Sequence, residues 1–386
     1  MTSSVSTSSP AGRDAAAGWQ QAWLPLIDAV GTDFGQGTFR AGPDAVEVGA
    51  LRRFCEPLEF GCPLHHDAAA ARRHGYAGVV APVSAIVTFT IPPLWRPGEP
   101  PVFTSPGRNA QPARTGLGPR RTGLEPETTG YFAAETGADY LAPVEVGDRL
   151  RRTGDLLLSC VPKQTRVGRG AFVTWQSQIR NQRDVVVARL RSTSYSYVPH
   201  PHPHPGPAAG PPPQPSAAEP SADADAPQRA APDRDWDRQR CWEDLVPGQA
   251  LPAVAFPLSV YRLVMAAGAT RDFNSIHHNT EWAQASGAPE MYANVVFLQG
   301  MWERCVREFI GLGGRIWRIS GFRMSSFNVV GDTATVGGQV ARTWTEAGTG
   351  LAELQVWTRN RAGTSVGPGT VTVSLPRRSD VAGRTR

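Results

Sequence analysis

The stretch "RDFNSIHHN" places Asp272, Asn274, His277 and His278 together, directly ahead of a long apolar helical pattern. A carboxylate and an imidazole around one water can share two proton transfers, one taking a proton from the water and one delivering a proton to carbon. Bland readings exist for each residue taken singly: Asp272 and Asn274 as caps of the following segment, His277 as a satisfied core histidine, His278 as a solvent-facing or packed side chain. What separates the two readings is whether the surrounding elements can hold the pair in one site.

Those elements are legible downstream. Val295, Leu298, Met301, Trp302, Cys305, Phe309 and Ile310 recur at helical spacing and give one broad apolar face. Residues 316–327, 333–345, 350–360 and 366–375 are β-rich with partial alternation and are separated by Gly-Asp, Ala-Gly and Arg-Ala-Gly turns. A helix packed on an antiparallel sheet is an α+β arrangement.

The first half repeats the design. Aligning His65 with His277 also aligns Leu64 with Ile276, His66 with His278, Asp67 with Asn279, Ala71 with Ala283 and Gly75 with Gly287. "PVEVGDRLRRTGDLLL" likewise pairs with "NVVGDTATVGGQVA", with Asp148 and Asp332 read as turn formers, so a duplicated domain forming a pseudo-dimer within one chain is expected. The first copy deviates: Pro92 and Pro93 end its helix early, and a loop from about 96 to 130 precedes its strands. Long excursions of this kind line or cover sites.

Composition narrows the function classes. A chain of 386 residues suggests two domains, and the formal charge of +5 comes from scattered basic residues, which does not call for nucleic acid. Lys163 is the only lysine. Cys55, Cys62, Cys160, Cys241 and Cys305 are odd in number and contain no close pair, so neither a disulfide framework nor a zinc site is supported and a reducing cytoplasm fits. No stretch approaches the apolar length of a membrane span. The division expected is a disordered N-terminus at 1–25, a first domain at 26–198, a Pro-rich linker at 199–235, a second domain at 236–378 and a tail at 379–386. His200, His202 and His204 alternate with proline in the linker, where adventitious metal binding is the better reading than a functional site.

"RDFNSIHHN", followed by a helix and a Gly-Asp sheet, resembles the motif of the MaoC-like (R)-specific enoyl-CoA hydratases and dehydratases. "HGYAGVVAP" and "YLAPVEVGDRL" are similar to phrases of the degenerate N-terminal hot dog in the two-domain members. The resemblance implies a double hot-dog fold, with two antiparallel sheets each wrapped around a long central helix and packed as a pseudo-dimer. It implies that Asp272 and His277 are the catalytic pair, that Asn274 helps hold the pair and its water, and that the backbone near Asn294 and Val295 receives the thioester oxygen. Arg271 is expected to add a charged substrate contact beside Asp272. Phe60 stands where the first copy's acid would fall, so one active site per chain is expected, with the first domain shaped to hold the acyl group.

The chemistry so implied is addition or removal of water at the 2,3 double bond of an acyl-CoA or acyl-carrier thioester, with no metal or redox cofactor and coenzyme A entering only as part of the substrate. Asp272 is read as the water activator and His277 as the carbon proton donor, with the opposite assignment left open. The oxygen would be met by amides at the start of the helix after Asn294, where the helix dipole favours negative charge. Several positions depart from the motif: Ser275 replaces a proline, Asn279 an acid, Arg271 a glycine, and Asn294–Val295 a His-Gly pair. Arg114, Arg120 and Arg121 in the long loop are read as solvated, with contact to coenzyme A phosphates as the alternative. Two other functions stay open: a hot-dog acyl-CoA thioesterase acting on a bulky acyl group, and a non-catalytic acyl-binding partner subunit. No nucleic acid or membrane partner is expected, and a homodimer is left open.

Overall fold

The computed structural model describes residues 18–113, 120–165, 167–200 and 235–382. Arg114, His202, His204, most of the expected linker and the expected disorder of residues 1–17 lie outside the described residues. His200 lies inside them, with its Nε2 3.0 Å from the Thr165 carbonyl oxygen.

Ten strands form one continuous sheet: β1 (Phe39–Ala41), β2 (Gly130–Tyr140), β3 (Arg151–Gln164), β4 (Gly168–Arg180), β5 (Val186–Pro199), β6 (Ala250–Pro257), β7 (Arg315–Arg323), β8 (Thr333–Glu346), β9 (Thr349–Asn360) and β10 (Gly363–Leu375). Their order is β1-β3-β4-β5-β2-β7-β10-β9-β8-β6. The order reads the same from either edge once each first-half strand is matched to its second-half counterpart. Matching the halves in this way gives a pseudo-two-fold whose axis falls between β2 and β7. At that junction Glu135 faces Arg323 and Asp139 faces Arg318, and both are ion-paired across the seam. The α+β double hot dog expected from the sequence is therefore present, with its two sheets joined edge to edge into one. The four second-half β segments read from the sequence correspond to β7–β10 to within a few residues. Along β9, buried residues alternate with half-buried ones, the period-2 pattern of a strand with one face on the core.

The halves differ in what lies on the inner face. In the second half, α6 (Val295–Ile310) carries the expected apolar stripe, and Trp302, Met301, Cys305 and Phe309 are fully buried. The first half has only a 3-10 turn, Ile86–Thr90, at the corresponding place, ending just before Pro92 and Pro93. Shorter helices also recur in both halves: α2 (Val48–Cys55) with α4 (Val260–Thr270), and α3 (Ala68–Arg73) with α5 (Thr280–Ala285). In the first half, α1 (Leu24–Asp28) puts Leu26 with Trp23 onto Leu157, Val173 and Trp175.

One core runs through both halves, from Leu51, Phe54 and Leu58 to Trp302, Val356 and Leu375. Helix α6 forms much of it. Gly300 leaves room for Leu58, whose Cδ1 would stand 2.6 Å from a Cβ at that position, and the Arg304 guanidinium donates to the Leu58 carbonyl at 2.6 Å. The duplicated turns match down to single bonds. Val46 N donates to the Asp148 carbonyl and Leu258 N to the Asp332 carbonyl. Each aspartate follows a glycine at positive φ, Gly147 at 98° and Gly331 at 78°, a conformation that a side chain disfavours. All five cysteines are buried and free. Among the described residues no helix is long and apolar enough to cross a membrane.

Candidate active site

A short 3-10 turn, Ser275–His277, joins α4 to α5 and presents the motif. Asn279 begins α5 by accepting from Trp282 N at 2.9 Å. His277 is buried, and its Nδ1 lies 2.9 Å from the Tyr292 carbonyl oxygen. A carbonyl oxygen can only accept, so Nδ1 carries a proton, and Nε2 is the nitrogen left to exchange one with the site. That Nε2 faces Asp272 Oδ2 at 3.4 Å, the two side chains being 9% and 18% exposed. The separation is long for a direct hydrogen bond and leaves both groups free to hold a shared water. The Tyr292 ring stands edge-on to the imidazole at 5.2 Å and fixes its plane.

The start of α6 borders the same place in the chain, two residues beyond Tyr292. Asn294 caps it, accepting from Phe297 N at 2.8 Å while its Nδ2 donates to Thr270 Oγ1 at 2.9 Å. The first amides of a helix have no intrahelical partner. Among the described residues those of Val295 and Val296 meet no protein acceptor, which leaves two N–H groups at the positive end of the helix dipole.

Two of the expected site residues have other partners. Arg271 closes α4 in the left-handed region at φ 58°, the conformation that makes glycine the usual occupant of this position. Its guanidinium, expected to meet substrate, donates instead to the carbonyls of Ile91 and Pro92, each at 3.1 Å, and ties the motif to the first half. Asn274 is exposed and accepts from Ile276 N at 3.4 Å; it caps the turn rather than holding the pair. His278 is exposed, with Nε2 3.4 Å from the Phe273 carbonyl.

The departures from the usual motif at Ser275 and Asn279 are explained by the first half's long loop. Ser275 Oγ donates to Gln111 Oε1 at 2.7 Å, and Asn279 Nδ2 donates to Asn109 Oδ1 at 2.7 Å. Asn109 also donates to Glu281, and Arg108 lies 3.6 Å from the same carboxylate. A proline and an acid at 275 and 279 could not make these two donations. The loop is thus clasped onto the motif, as its length suggested, while Arg120 pairs with Asp155 and Arg121 with the Thr128 carbonyl.

The first-half copy gives the same frame different partners. His65 Nδ1 meets the Val80 carbonyl at 2.8 Å, 15 residues on, as His277 meets Tyr292. Phe60, at the position of Asp272, packs its ring 4.9 Å from His65. Burial drives the His65 imidazole down to about 3, against the Val80 bond, so it stays neutral. The amides matching Val295 and Val296 belong to Val83 and Ser84, and both donate at 2.8 Å to the carboxylate of Glu303, which also receives Ser84 Oγ at 2.6 Å. Burial raises the Glu303 carboxyl above its usual range, opposed by the Ser84 and Val83 bonds and by Arg307. The copy's oxygen site is therefore filled from within by a side chain of α6. A cavity of about 30 Å³ lies beside His65, Tyr76 and Tyr140, and at that spot there is no room for an acyl ligand, which needs several hundred Å³. Sequence reasoning missed Glu303. Its signal was a lone acid between Trp302 and Arg304, on a turn of helix otherwise lined by core residues.

Comparison with known proteins agrees with this fold. The family model described as FAS1-like, dehydratase domain region matches residues 29–190. The chain is 32% identical over 133 residues to the 3-oxo-4,17-pregnadiene-20-carboxyl-CoA hydratase beta subunit of Mycobacterium tuberculosis, covering 34% of this chain and 97% of that protein. A solved structure titled MaoC-like dehydratase matches with a TM-score of 0.62 at 20% identity, over 91% of this chain and 99% of that one. A conserved hypothetical protein of Mycobacterium tuberculosis with a double hotdog fold matches with a TM-score of 0.54 at 13% identity, over 90% and 96% of the two chains.

Proposed function

The chain belongs to the MaoC-like hydratase/dehydratase family in its double hot-dog form, and from that premise we propose that it adds or removes water at the 2,3 double bond of an acyl-CoA thioester, with Asp272 and His277 as the acid–base pair. The observation that carries the reading is the facing of Asp272 Oδ2 and His277 Nε2 across 3.4 Å, in the half whose helix start still has free amides.

In this reading Asp272 accepts a proton from the bound water as its oxygen attacks C3. His277, charged at Nε2, delivers a proton to C2 on the same face of the alkene. Negative charge passing through the thioester oxygen is received by the amides of Val295 and Val296. The proton gained by Asp272 returns to His277 Nε2 across the 3.4 Å between them, which restores both groups. Elimination runs the same steps backwards.

The division of labour that we propose gives residues 236–378 the chemistry and residues 26–198 the acyl group. Support comes from the first half's missing long helix, whose place is taken by the 3-10 turn Ile86–Thr90, with the short α1 packed on Leu157, Val173 and Trp175. The acyl group is bulky on this reading, and the relative's named substrate, a polycyclic acyl thioester, is of that kind. The test is a panel of 2-enoyl-CoAs graded in bulk. A gain of one water that rises in kcat/KM with acyl bulk is the expected result. Free thiol appearing from the saturated members would mean thioester hydrolysis and overturn the reading.

A further inference from the structure

The inner face of the first half-sheet carries charge that the hydration chemistry does not use. In the strand ladders Arg40 stands opposite Arg152, and Arg152 opposite Ile179. Cross-strand partners share a face, so both arginines lie on the side of the buried Ile179, and Arg152 Nε donates to buried Ser177 Oγ at 2.8 Å. Trp175, on that same side of β4, has the Arg120 guanidinium 5.6 Å from its ring centre. Asp155 pairs with Arg120 at 2.6 Å and with Arg40 at 3.1 Å. Asp155 thus pairs with two guanidinium groups and acts on Arg152 as well, while the Asp33 carboxylate accepts from Asp155 N at 2.7 Å, so three guanidinium groups meet two carboxylates.

The register continues this polar surface toward the active site. Trp175 faces Ser192, Val173 faces Ser194 and Ala171 faces Ser196. On the next strand Ser192 faces Thr136 and Ser196 faces Tyr131. Thr136 accepts from Gln299 of α6 at 2.9 Å, so the row reaches the second half's helix. Arg120, Arg152 and Asp272 all act electrostatically on the Tyr131 phenol, so the arginines and the proposed catalytic acid are within reach of one side chain. Trp175, Val173 and Ala171 pack with Trp23 and Leu26 of the α1 region, and beyond them toward α6 the row is hydroxyl-bearing, unlike a wall meant only for a hydrocarbon tail.

We propose that Arg152, with Arg120 beside it, binds a carboxylate at the far end of the acyl group, so that the substrate is a bulky acyl-CoA bearing a second acid. The proposal rests on the hydratase reading for the position of the thioester. Excess positive charge favours an anion over a neutral carbonyl. Burial, with the like charges of Arg120 and Arg40, pushes Arg152 down to about 9, a strain that a bound anion would relieve. The phosphates of coenzyme A are the other source of anionic oxygen. They are bulky and strongly hydrated, and suit an open surface better than the inner face of a sheet.

Calorimetric titration with saturated acyl-CoAs, which cannot be hydrated, tests this without catalysis. Tails ending in a carboxylate and in a methyl group are compared at several lengths, each as the coenzyme A and as the pantetheine thioester. The expected result is binding at least about tenfold tighter for the carboxylate tail at one length, in both thioester forms. That preference should be lost in Arg152→Gln and partly kept in Arg152→Lys. Equal binding of the two tails by the unaltered protein overturns the proposal, whether or not the variants fold. A preference present only with coenzyme A, and indifferent to the tail, assigns the arginines to phosphate and overturns it too. The hydratase reading fails separately, by absence of water addition to any enoyl-CoA.

Discussion

Asn294→Ala probes the support on which the proposed oxygen site depends. The side chain is 2% exposed and makes two bonds, accepting from Phe297 N at 2.8 Å and donating to Thr270 Oγ1 at 2.9 Å. Loss of an N-cap costs about 1 kcal/mol, and loss of the second, buried bond about 1 kcal/mol more. Thr270 keeps its donation to the Ala266 carbonyl at 2.7 Å, so its hydroxyl is not orphaned; the Phe297 N–H is, which is the cap loss already counted, and the small void left behind adds a few tenths. The expected loss is about 2–3 kcal/mol. Asn294→Ser keeps the cap and drops the Thr270 bond, for about 1 kcal/mol. Asn294→Asp is the sharper comparison. An aspartate is a good cap with a favourable charge on an exposed helix, but here it would turn an oxygen toward Thr270 Oγ1, whose hydrogen is already committed, and would bury a charge. Asp should therefore be no better than Ala. Urea unfolding followed by tryptophan emission, with Trp302 fully buried in the same helix, reads all three. A loss below about 0.5 kcal/mol for Ala, or an Asp variant more stable than the unaltered chain, refutes the reasoning.

Other outcomes follow from the same contacts. Gly300→Ala gains about 1 kcal/mol of helix propensity but drives a methyl against Leu58, so it should destabilise on balance; in a Leu58→Ala background it should stabilise, and additivity of the two changes in a double-mutant cycle would contradict the shared packing. His65, held neutral with its value at about 3 against 6.5 for an ordinary histidine, binds its proton in the unfolded chain first. Stability should therefore fall as pH drops from about 6.5 toward about 3, by on the order of 4 kcal/mol, and His65→Gln should flatten that limb; an unaltered pH profile in this variant would count against the burial argument. Ser275→Pro with Asn279→Asp removes the two donations that clasp the long loop, and trypsin should then cut faster after Arg108, whose side chain is 87% exposed; equal cleavage rates would mean that the clasp does not hold the loop.

How much of this was legible depends on whether the signal was periodic or contextual. The repeat was readable because a duplicated turn keeps its residue types at fixed spacing, and the spacing survives in the His65–Val80 and His277–Tyr292 bonds. The strands of the second half were readable from alternation and turn residues. The early end of the first half's helix followed from Pro92 and Pro93, which cannot donate within a helix. The joining of the two sheets was not readable, since β2 and β7 pair across nearly 200 residues and no local pattern encodes a partner so far away. Arg271 was misread because its type suggested a ligand contact, whereas its carbonyl partners belong to a loop placed only by the fold. Ser275 and Asn279 looked like erosion of a motif until Gln111 and Asn109 were seen against them. Glu303 lies within an apolar stripe, where an acid is costly, and its three donors come from a turn of the other half.

The most direct test of the account follows product mass and free thiol in one reaction, with a bulky 2-enoyl-CoA and the unaltered protein beside Asp272→Asn and His277→Gln. The account predicts a product heavier by one water, no thiol released, and a fall in rate of about a hundredfold or more in each variant. Hydration that persists at full rate in Asp272→Asn, or thiol released in place of water added, would contradict it.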